Sequence, residues 1–219
     1  MRQAPGGGPR HRARARRPAR DLTPEREGPT ITTPLNVVAL SGGVGYPSST
    51  RTLTDLLLGA VAEAATTRGI EVTLTTVEVR DHAADVVNVT VLGLPGAALD
   101  EALRTVEDAD VLIAASPVFR GSYAGIFKSF LDLVDPVAMR GKPVLLGATG
   151  GSARHQLMID QAMRPLFAYF GVLISPTAVY ASTDNWSVGS VPVPALQDRV
   201  ARAAFEVLRL EAVGSTMHA

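Results

Sequence analysis

A run of small polar residues follows the first strongly apolar stretch of the chain. Residues 35–40 are typical of a buried strand, and a glycine-rich turn leads from them directly into a helical pattern. The first turn of a helix exposes unpaired backbone N–H groups, and the helix dipole adds partial positive charge there. Further donors come from Ser41, Ser48, Ser49, Thr50 and Arg51. This turn predicts a phosphate site, although serine and threonine also cap helices that bind no ligand.

Several common chemistries find no support in the sequence. The glycines after the first strand match neither the GxGxxG fingerprint of dinucleotide folds nor the GxxxxGK[ST] loop of triphosphatases. The chain has no cysteine, which excludes disulfides, thiolate catalysis and cysteine-based metal centres and is consistent with a cytoplasmic protein. Its four histidines lie far apart in the sequence, so we predict no metal site.

The two ends of the chain differ in composition from the rest. Residues 1–34 carry eight arginines against three acidic residues and few large apolar ones, which predicts a disordered tail without a role in the chemistry. A nucleic-acid arm and a targeting or export signal are the alternatives, but no apolar segment follows the paired arginines. The mildly acidic remainder argues against nucleic-acid binding, and no apolar run is long enough to span a membrane. Residues 214–219 are predicted to be disordered.

Apolar patterns alternate between strands and helices over residues 35–213, which we predict to form one domain. After the first strand, further strands are predicted at 72–79, 111–115 and 143–148, and a broken fifth strand at 172–174 and 178–181. Helices are predicted at 50–68, at 97–108, after Tyr123, from about Ala153 past Pro165 with a kink, and at 194–212, with an irregular loop at 81–95. This alternation is typical of an α/β fold in which helices cover both faces of a parallel sheet.

Two further predicted strand ends carry unusual residues. They are Pro117, Val118, Phe119, Arg120, Gly121, Ser122 and Tyr123 after the third strand, and Thr149, Gly150 and Gly151 after the fourth. Each set alone is compatible with a turn or with core packing. Ligands of open α/β sheets bind beyond the carboxyl ends of the strands, so three such ends together predict a ligand site.

The combination of these three strand ends suits FMN. The first loop offers donors to a phosphate, and the other two can bring backbone amides and glycines close to a flat ring. No general acid or base is required, because hydride passes directly between nicotinamide and flavin. The absence of a plausible catalytic triad or carboxylate pair is therefore what this chemistry predicts.

The same residues resemble a known family. Residues 47–51, 117–123, 127–129 and 148–155 are similar to the NAD(P)H-dependent FMN reductases, especially those that partner luciferase-like or alkanesulfonate monooxygenases. The resemblance extends over roughly residues 35–187. It implies a flavodoxin-like fold, with a five-stranded parallel sheet in the order 2-1-3-4-5 and helices on both faces. It also implies FMN and NAD(P)H as cofactors, a flavin-dependent monooxygenase as partner, and a homodimer or homotetramer.

The resemblance also assigns roles to individual residues. Phosphate contacts are implied for Ser41, Ser48, Ser49, Thr50 and Arg51. Ring contacts are implied for Pro117, Val118, Phe119, Arg120, Gly121 and Ser122 on one side, and for Thr149, Gly150 and Gly151 on the other. Tyr123 falls where alkanesulfonate-type reductases place a tyrosine near the flavin and the subunit interface.

Two alternative functions remain open at this stage. One is an NAD(P)H reductase that holds FMN tightly and acts on quinones or azo compounds. The other is a flavodoxin-like electron carrier, which ranks last. Such carriers usually sandwich the flavin ring between aromatic residues, whereas this chain is 5% aromatic and has a single tryptophan, Trp186.

Overall fold

The computed structural model describes residues 33–94 and 96–217. The predicted tail therefore lies outside the described residues except for its last two positions. The C-terminal residues 218 and 219 also lie outside them.

A parallel sheet forms the centre of the fold. Its strands are β1 (Leu35–Ser41), β2 (Val72–Glu78), β3 (Val111–Phe119), β5 (Pro143–Gly150), β6 (Leu173–Ile174) and β7 (Val179–Ser182), in the spatial order β2-β1-β3-β5 with β6 and β7 both beside β5. Two-residue strands β4 (Ser122–Tyr123), β8 (Trp186–Ser187) and β9 (Val191–Pro192) complete the set. Since β6 and β7 together occupy the fifth position, the predicted order and the broken last strand are both confirmed.

Helices cover both faces of this sheet, as predicted. They are α1 (Ser49–Thr67), α2 (Ala83–Val87), α3 (Ala97–Glu107), α4 (Gly125–Leu131), α5 (Pro136–Met139), α6 (Arg164–Tyr169) and α7 (Pro194–Met217). On one face the apolar stripe of α1, including Leu53 and Leu57, packs with α7. On the other face α3, α4 and α6 enclose a second core that contains Phe127, Phe130 and Phe167. The central strands are mostly apolar because both of their faces are buried, and their few polar residues include Ser41, Ser116 and Thr149 near the carboxyl ends.

Residues 81–95 were predicted to be irregular, and that prediction was wrong for residues 81–92. A single 3-10 turn (Val79–His82), α2 and a π-helical turn (Asn88–Leu92) follow β2 in succession. Val79 and Val86 are fully buried in the core beside α3 and α4. Burial of these two valines stabilises helical turns that the β-branched residues of the segment would not form on propensity alone.

Two predicted helix boundaries also need correction. The segment expected to be helical from Ala153 starts with a 3-10 turn (Ala153–His155), and a π-helical turn (Ile159–Met163) that continues into α6 follows it only after a break. Pro165, where the kink was predicted, is the second residue of α6 and directly follows this π-helical turn. The last helix, α7, extends to Met217, past the predicted end at residue 212, and includes residues 214–217 of the segment predicted to be disordered.

Candidate functional site

The carboxyl ends of the central strands meet at one edge of the sheet. In register, Ser41 pairs with Ala115, Pro117 with Thr149, and Gly150 with Ser182. A cavity of about 560 Å³ lies at this edge. Of the predicted site residues, it is lined by Ser49, Pro117, Val118, Phe119, Thr149, Gly150 and Gly151. The structure thus brings the first residue of α1 together with the ends of β3 and β5.

The loop between β1 and α1, residues 42–48, is held at both ends, and we call it the phosphate loop. At its start, the Gly42 N–H donates to the Ala115 carbonyl at 2.7 Å. At its end, the Ser48 hydroxyl accepts the Arg51 N–H at 3.2 Å as the N-cap of α1. A Cβ on Gly43 would lie 2.1 Å from Ser48 Oγ, so the turn closes because this position has no side chain.

Ser41 stands out at the entrance to this loop. Its side chain is fully buried, and its Oγ has no hydrogen-bond partner among the described residues. A buried hydroxyl without a partner costs free energy, and such orphans in native structures call for a specific explanation. Ser41 does not line the cavity, but it begins the loop that leads to the unpaired N–H groups of α1, and an anion held there is an acceptor that its hydroxyl lacks within the protein. The residues present therefore fit a phosphate group.

Thr50 and Arg51, both predicted to contact phosphate, use their side chains within the protein. The Thr50 hydroxyl lies 2.7 Å from the Thr149 hydroxyl in a buried pair, which connects α1 to the end of β5. Arg51 pairs with Asp55 at 2.7 Å and with Glu78 at 2.6 Å. Its hydrogen bond to Asp55 raises the pKa of Arg51, so the guanidinium remains charged. Thr50 can still donate its backbone N–H to a phosphate. The guanidinium of Arg51 is instead engaged in ion pairs with Asp55 and Glu78.

One wall of the cavity is a tight hairpin that the sequence analysis did not predict. β4 runs antiparallel to the end of β3, and the turn between them consists of Arg120 and Gly121, at φ of 52° and 83°. Positive φ at both positions is the conformation of a type I′ turn, the natural two-residue hairpin connection. The Ser116 hydroxyl secures its base by accepting the Ala124 N–H at 2.9 Å. The hairpin leaves Phe119 48% exposed at the cavity.

The far side of this hairpin lies outside the cavity lining. This applies to four residues that were predicted to contact the ring or to lie near it: Arg120, Gly121, Ser122 and Tyr123. The Tyr123 ring instead packs against Phe127, with 6.3 Å between the ring centroids.

The opposite wall depends on Gly150. A Cβ at this position would lie 2.3 Å from the hydroxyl oxygen of Tyr180, which donates to the Ser152 carbonyl at 2.7 Å. Burial raises the pKa of Tyr180, so its hydroxyl stays protonated as a donor. Gly150 and Tyr180 together fix the path of the backbone through Gly151 and Ser152.

The sequence analysis missed the part of the lining that comes from the end of β7 and the hairpin after it. These residues are Ala181, Ser182, Thr183, Trp186, Ser187 and Ser190, and the analysis also missed Thr52 of α1. No motif marks them in the sequence. The one available signal was the pairing of the broken fifth strand with β5, which brings Ser182 beside Gly150.

The described parts of the chain contain neither a metal-binding cluster nor a single membrane-spanning helix. Within them, no group of three or more His, Cys, Asp or Glu side chains could hold a metal ion. No single helix of residues 33–94 and 96–217 is long and apolar enough to cross a bilayer. Val79–Leu92 and Ala97–Glu107 reach that length and composition only together, across a 99° bend.

The fold and the cavity define a flavodoxin-like α/β protein with a cavity at the carboxyl edge of its sheet. Residues 35–186 match the family model described as NADPH-dependent FMN reductase. The chain therefore belongs to the NADPH-dependent FMN reductase family. It is an oxidoreductase of the NAD(P)H-dependent, FMN-reducing type.

Individual relatives agree with this assignment. The chain is 39% identical over 168 residues to an FMN reductase (NADPH) of Pseudomonas aeruginosa, covering 75% of this chain and 88% of that protein. It is 42% identical over 172 residues to the NADH-dependent FMN reductase SfnF of Pseudomonas fluorescens, covering 78% and 89%. A solved oxidoreductase from Corynebacterium diphtheriae superimposes with a TM-score of 0.78 at 34% identity, covering 83% of this chain and 99% of that one.

Proposed function

We propose that this chain oxidises NADH or NADPH, reduces FMN, and passes the reduced flavin to a separate flavin-dependent monooxygenase in the cytoplasm. The observation that carries the proposal is the single cavity shared by Ser49, the β3 hairpin and the Gly150–Gly151 turn. At about 560 Å³, it falls within the usual size range of cofactor sites. The monooxygenase partner rests on the family resemblance of residues 47–51, 117–123 and 148–155.

In this proposal the phosphate of FMN is held at the start of α1. The donors are the hydroxyl of Ser41 and the backbone N–H groups of Ser49 and Thr50, which precede Thr52, the first residue whose N–H donates within the helix. Ser48 accepts the Arg51 N–H and keeps its own hydroxyl hydrogen for donation. The Thr50–Thr149 hydroxyl pair fixes this phosphate end relative to the ring end of the cavity.

The ring end is formed mainly by backbone. Val118 and Phe119 line one wall, and Gly150 and Gly151 line the other. Glycine allows a close approach because no Cβ intervenes, and these walls keep water from the reacting face. When bound, FMN supplies the acceptor for the hydride of reduced nicotinamide. The protein positions the reactants, and no side chain has to transfer a proton.

Steady-state oxidation of NAD(P)H tests this function, with FMN, FAD and riboflavin varied in turn. We expect the rate to saturate with free FMN, and a luciferase-like monooxygenase supplied with NAD(P)H and FMN to turn over only when the chain is present. A rate that ignores added FMN but requires a quinone or azo compound would instead identify a reductase with tightly held flavin. Reversible reduction without turnover would identify an electron carrier.

We also propose that the chain forms a homodimer or homotetramer through the segment around α6. Met158, Ile159 and Phe167 of this segment are buried in the described chain, whereas Leu157 is 55% and Tyr169 80% exposed. These two large exposed side chains lie on a segment whose other face is packed in the core, and they support a second packing surface. Sedimentation equilibrium should give a mass of at least twice the chain mass of 23.0 kDa, and a species at the chain mass itself would exclude this interface.

A further inference from the structure

The tip of the phosphate loop, residues 44–47, projects from the body of the protein. Tyr46 is 93% exposed, and Val44, Gly45 and Pro47 are exposed as well. The two ends of the loop are anchored by the Gly42 and Ser48 hydrogen bonds, but neither anchor reaches this tip. Glycine-rich segments lose much conformational entropy when they are ordered. A ligand that had to order an unanchored tip would therefore bind with lower affinity.

Arg80, on the turn after β2, reaches the tip from the side. Its Nη1 donates to the Gly45 carbonyl, and its guanidinium carbon lies 5.6 Å from the centroid of the Tyr46 ring. Among the described residues, this is the side chain that provides a hydrogen bond to the tip. Arg80 itself is mostly buried, with 22% of its side chain exposed.

Glu78 aligns Arg80 in this position. It is the last residue of β2 and pairs in register with Ser41, which places it beside the entrance of the phosphate loop. One carboxylate oxygen forms an ion pair with Arg80 Nη2 at 2.8 Å that lacks hydrogen-bond geometry, and the other accepts a hydrogen bond from Arg51 Nη1 at 2.6 Å. A single carboxylate on a rigid strand therefore orients both arginines that flank the loop.

The charges of this cluster show whether Arg80 attracts a phosphate electrostatically or positions the loop. Asp55 lies 2.7 Å from Arg51, and Asp81 lies 3.8 Å from Arg80. Together with Glu78, three carboxylates face two guanidinium groups, so the cluster does not attract a phosphate by its net charge. Its effect has to come from geometry.

We propose that Arg80, aligned by Glu78, is a positioning residue that holds the phosphate loop in its binding conformation and so produces a preference for FMN over riboflavin. This inference rests on the proposed function, since it takes the phosphate of FMN to bind at this loop. Riboflavin has the same ring but no phosphate, so it does not depend on the order of the loop.

The test compares Arg80→Gln, Glu78→Gln and the control Arg104→Gln, an exposed arginine on α3. Fluorescence titration of the full chain gives dissociation constants for FMN and riboflavin, and thermal unfolding confirms that each variant is folded. We expect Arg80→Gln to raise the dissociation constant of FMN about tenfold and that of riboflavin by less than about twofold. The kcat at saturating FMN should be unchanged. Glu78→Gln should raise the dissociation constant of FMN about threefold, and Arg104→Gln should change neither dissociation constant.

Three results would overturn the inference. Equal shifts for FMN and riboflavin would show a general loss of structure, and an unchanged FMN preference in Arg80→Gln would remove the role of the residue. Tighter FMN binding in Glu78→Gln would show that charge, rather than positioning, governs the cluster. Failure of the unaltered chain to bind FMN at all would instead refute the proposed function, so the two failures are distinguishable.

Discussion

The carboxyl and amino edges of the central sheet each contain a cavity with polar residues in its lining. The two edges differ in whether their buried polar groups have hydrogen-bond partners. At the carboxyl edge, beside a cavity of about 560 Å³, Ser41 Oγ is buried without a partner. At the amino edge, a cavity of about 390 Å³ is lined by Lys142, Glu107, Asp108 and Asp110. There, the buried polar groups satisfy one another.

Lys142 shows how complete this satisfaction is. Its side chain is 7% exposed, and its Nζ donates to the carbonyls of Val106, Glu107 and Ala109 at 2.5 to 3.2 Å, which caps the end of α3. Asp110 accepts the Asn36 N–H at 2.7 Å at the start of β1. The comparison teaches that cavity volume alone does not mark a ligand site. The better marker is hydrogen-bonding capacity that the protein leaves unused. Three buried side-chain atoms have no hydrogen-bond partner among the described residues, and Ser41 Oγ, Glu78 Oε2 and His82 Nδ1 all lie at the end of β1 or β2 or in the turn after β2.

The largest expected effect concerns the amino edge. Burial lowers the pKa of Lys142 from 10.5 to about 8, so above that pH the folded chain has released a proton that the unfolded chain keeps up to about 10.5. The free energy of unfolding should therefore rise with pH across this window, by up to about 3 kcal/mol relative to Lys142→Met. Urea unfolding of both proteins measures the difference. The same pH dependence of the free energy of unfolding in both proteins would contradict this prediction. A changed FMN affinity in Lys142→Met would show that the amino edge takes part in ligand binding.

A smaller effect is expected at the wall of the carboxyl-edge cavity. In Gly150→Ala the new Cβ collides with the Tyr180 hydroxyl, which should lower the free energy of unfolding by about 2 kcal/mol. Gly151→Ala is the matched control, since a Cβ there meets no atom within 4 Å. Adding Tyr180→Phe to Gly150→Ala removes the colliding oxygen and should restore part of the loss in urea unfolding. If both alanine variants unfold alike, Tyr180 does not shape this wall.

The smallest effect tests the unused hydroxyl directly. Ser41→Ala should leave the free energy of unfolding within about 0.5 kcal/mol of the unaltered chain, because no protein hydrogen bond is lost. FMN affinity should fall about fivefold, equivalent to about 1 kcal/mol. Ser116→Ala is the control, since its hydroxyl accepts the Ala124 N–H and its loss should cost about 1 kcal/mol of stability. The comparison would be contradicted if Ser41→Ala lost stability and kept its FMN affinity, while Ser116→Ala kept its stability and lost FMN affinity.

Much of the fold follows from local patterns in the chain. The buried strands at β1, β3 and β5 are short apolar runs, and their alternation with amphipathic helices predicted the parallel sheet. The helical segment after β2 escaped prediction because it is stabilised by contacts of Val79 and Val86 with distant residues. The hairpin at Arg120 escaped because a non-glycine residue adopts positive φ there, which residue type does not foretell.

The sequence by itself determined which strand ends carry polar and glycine residues, because strand periodicity and turn composition are properties of neighbours along the chain. Only the tertiary structure decided which of those residues share a cavity, that Thr50 pairs with Thr149, and that Arg51 and Arg80 both contact Glu78. These pairings join residues 27 to 99 positions apart or depend on a side-chain direction. Their geometry is set by how the sheet and helices pack, and local sequence does not encode it.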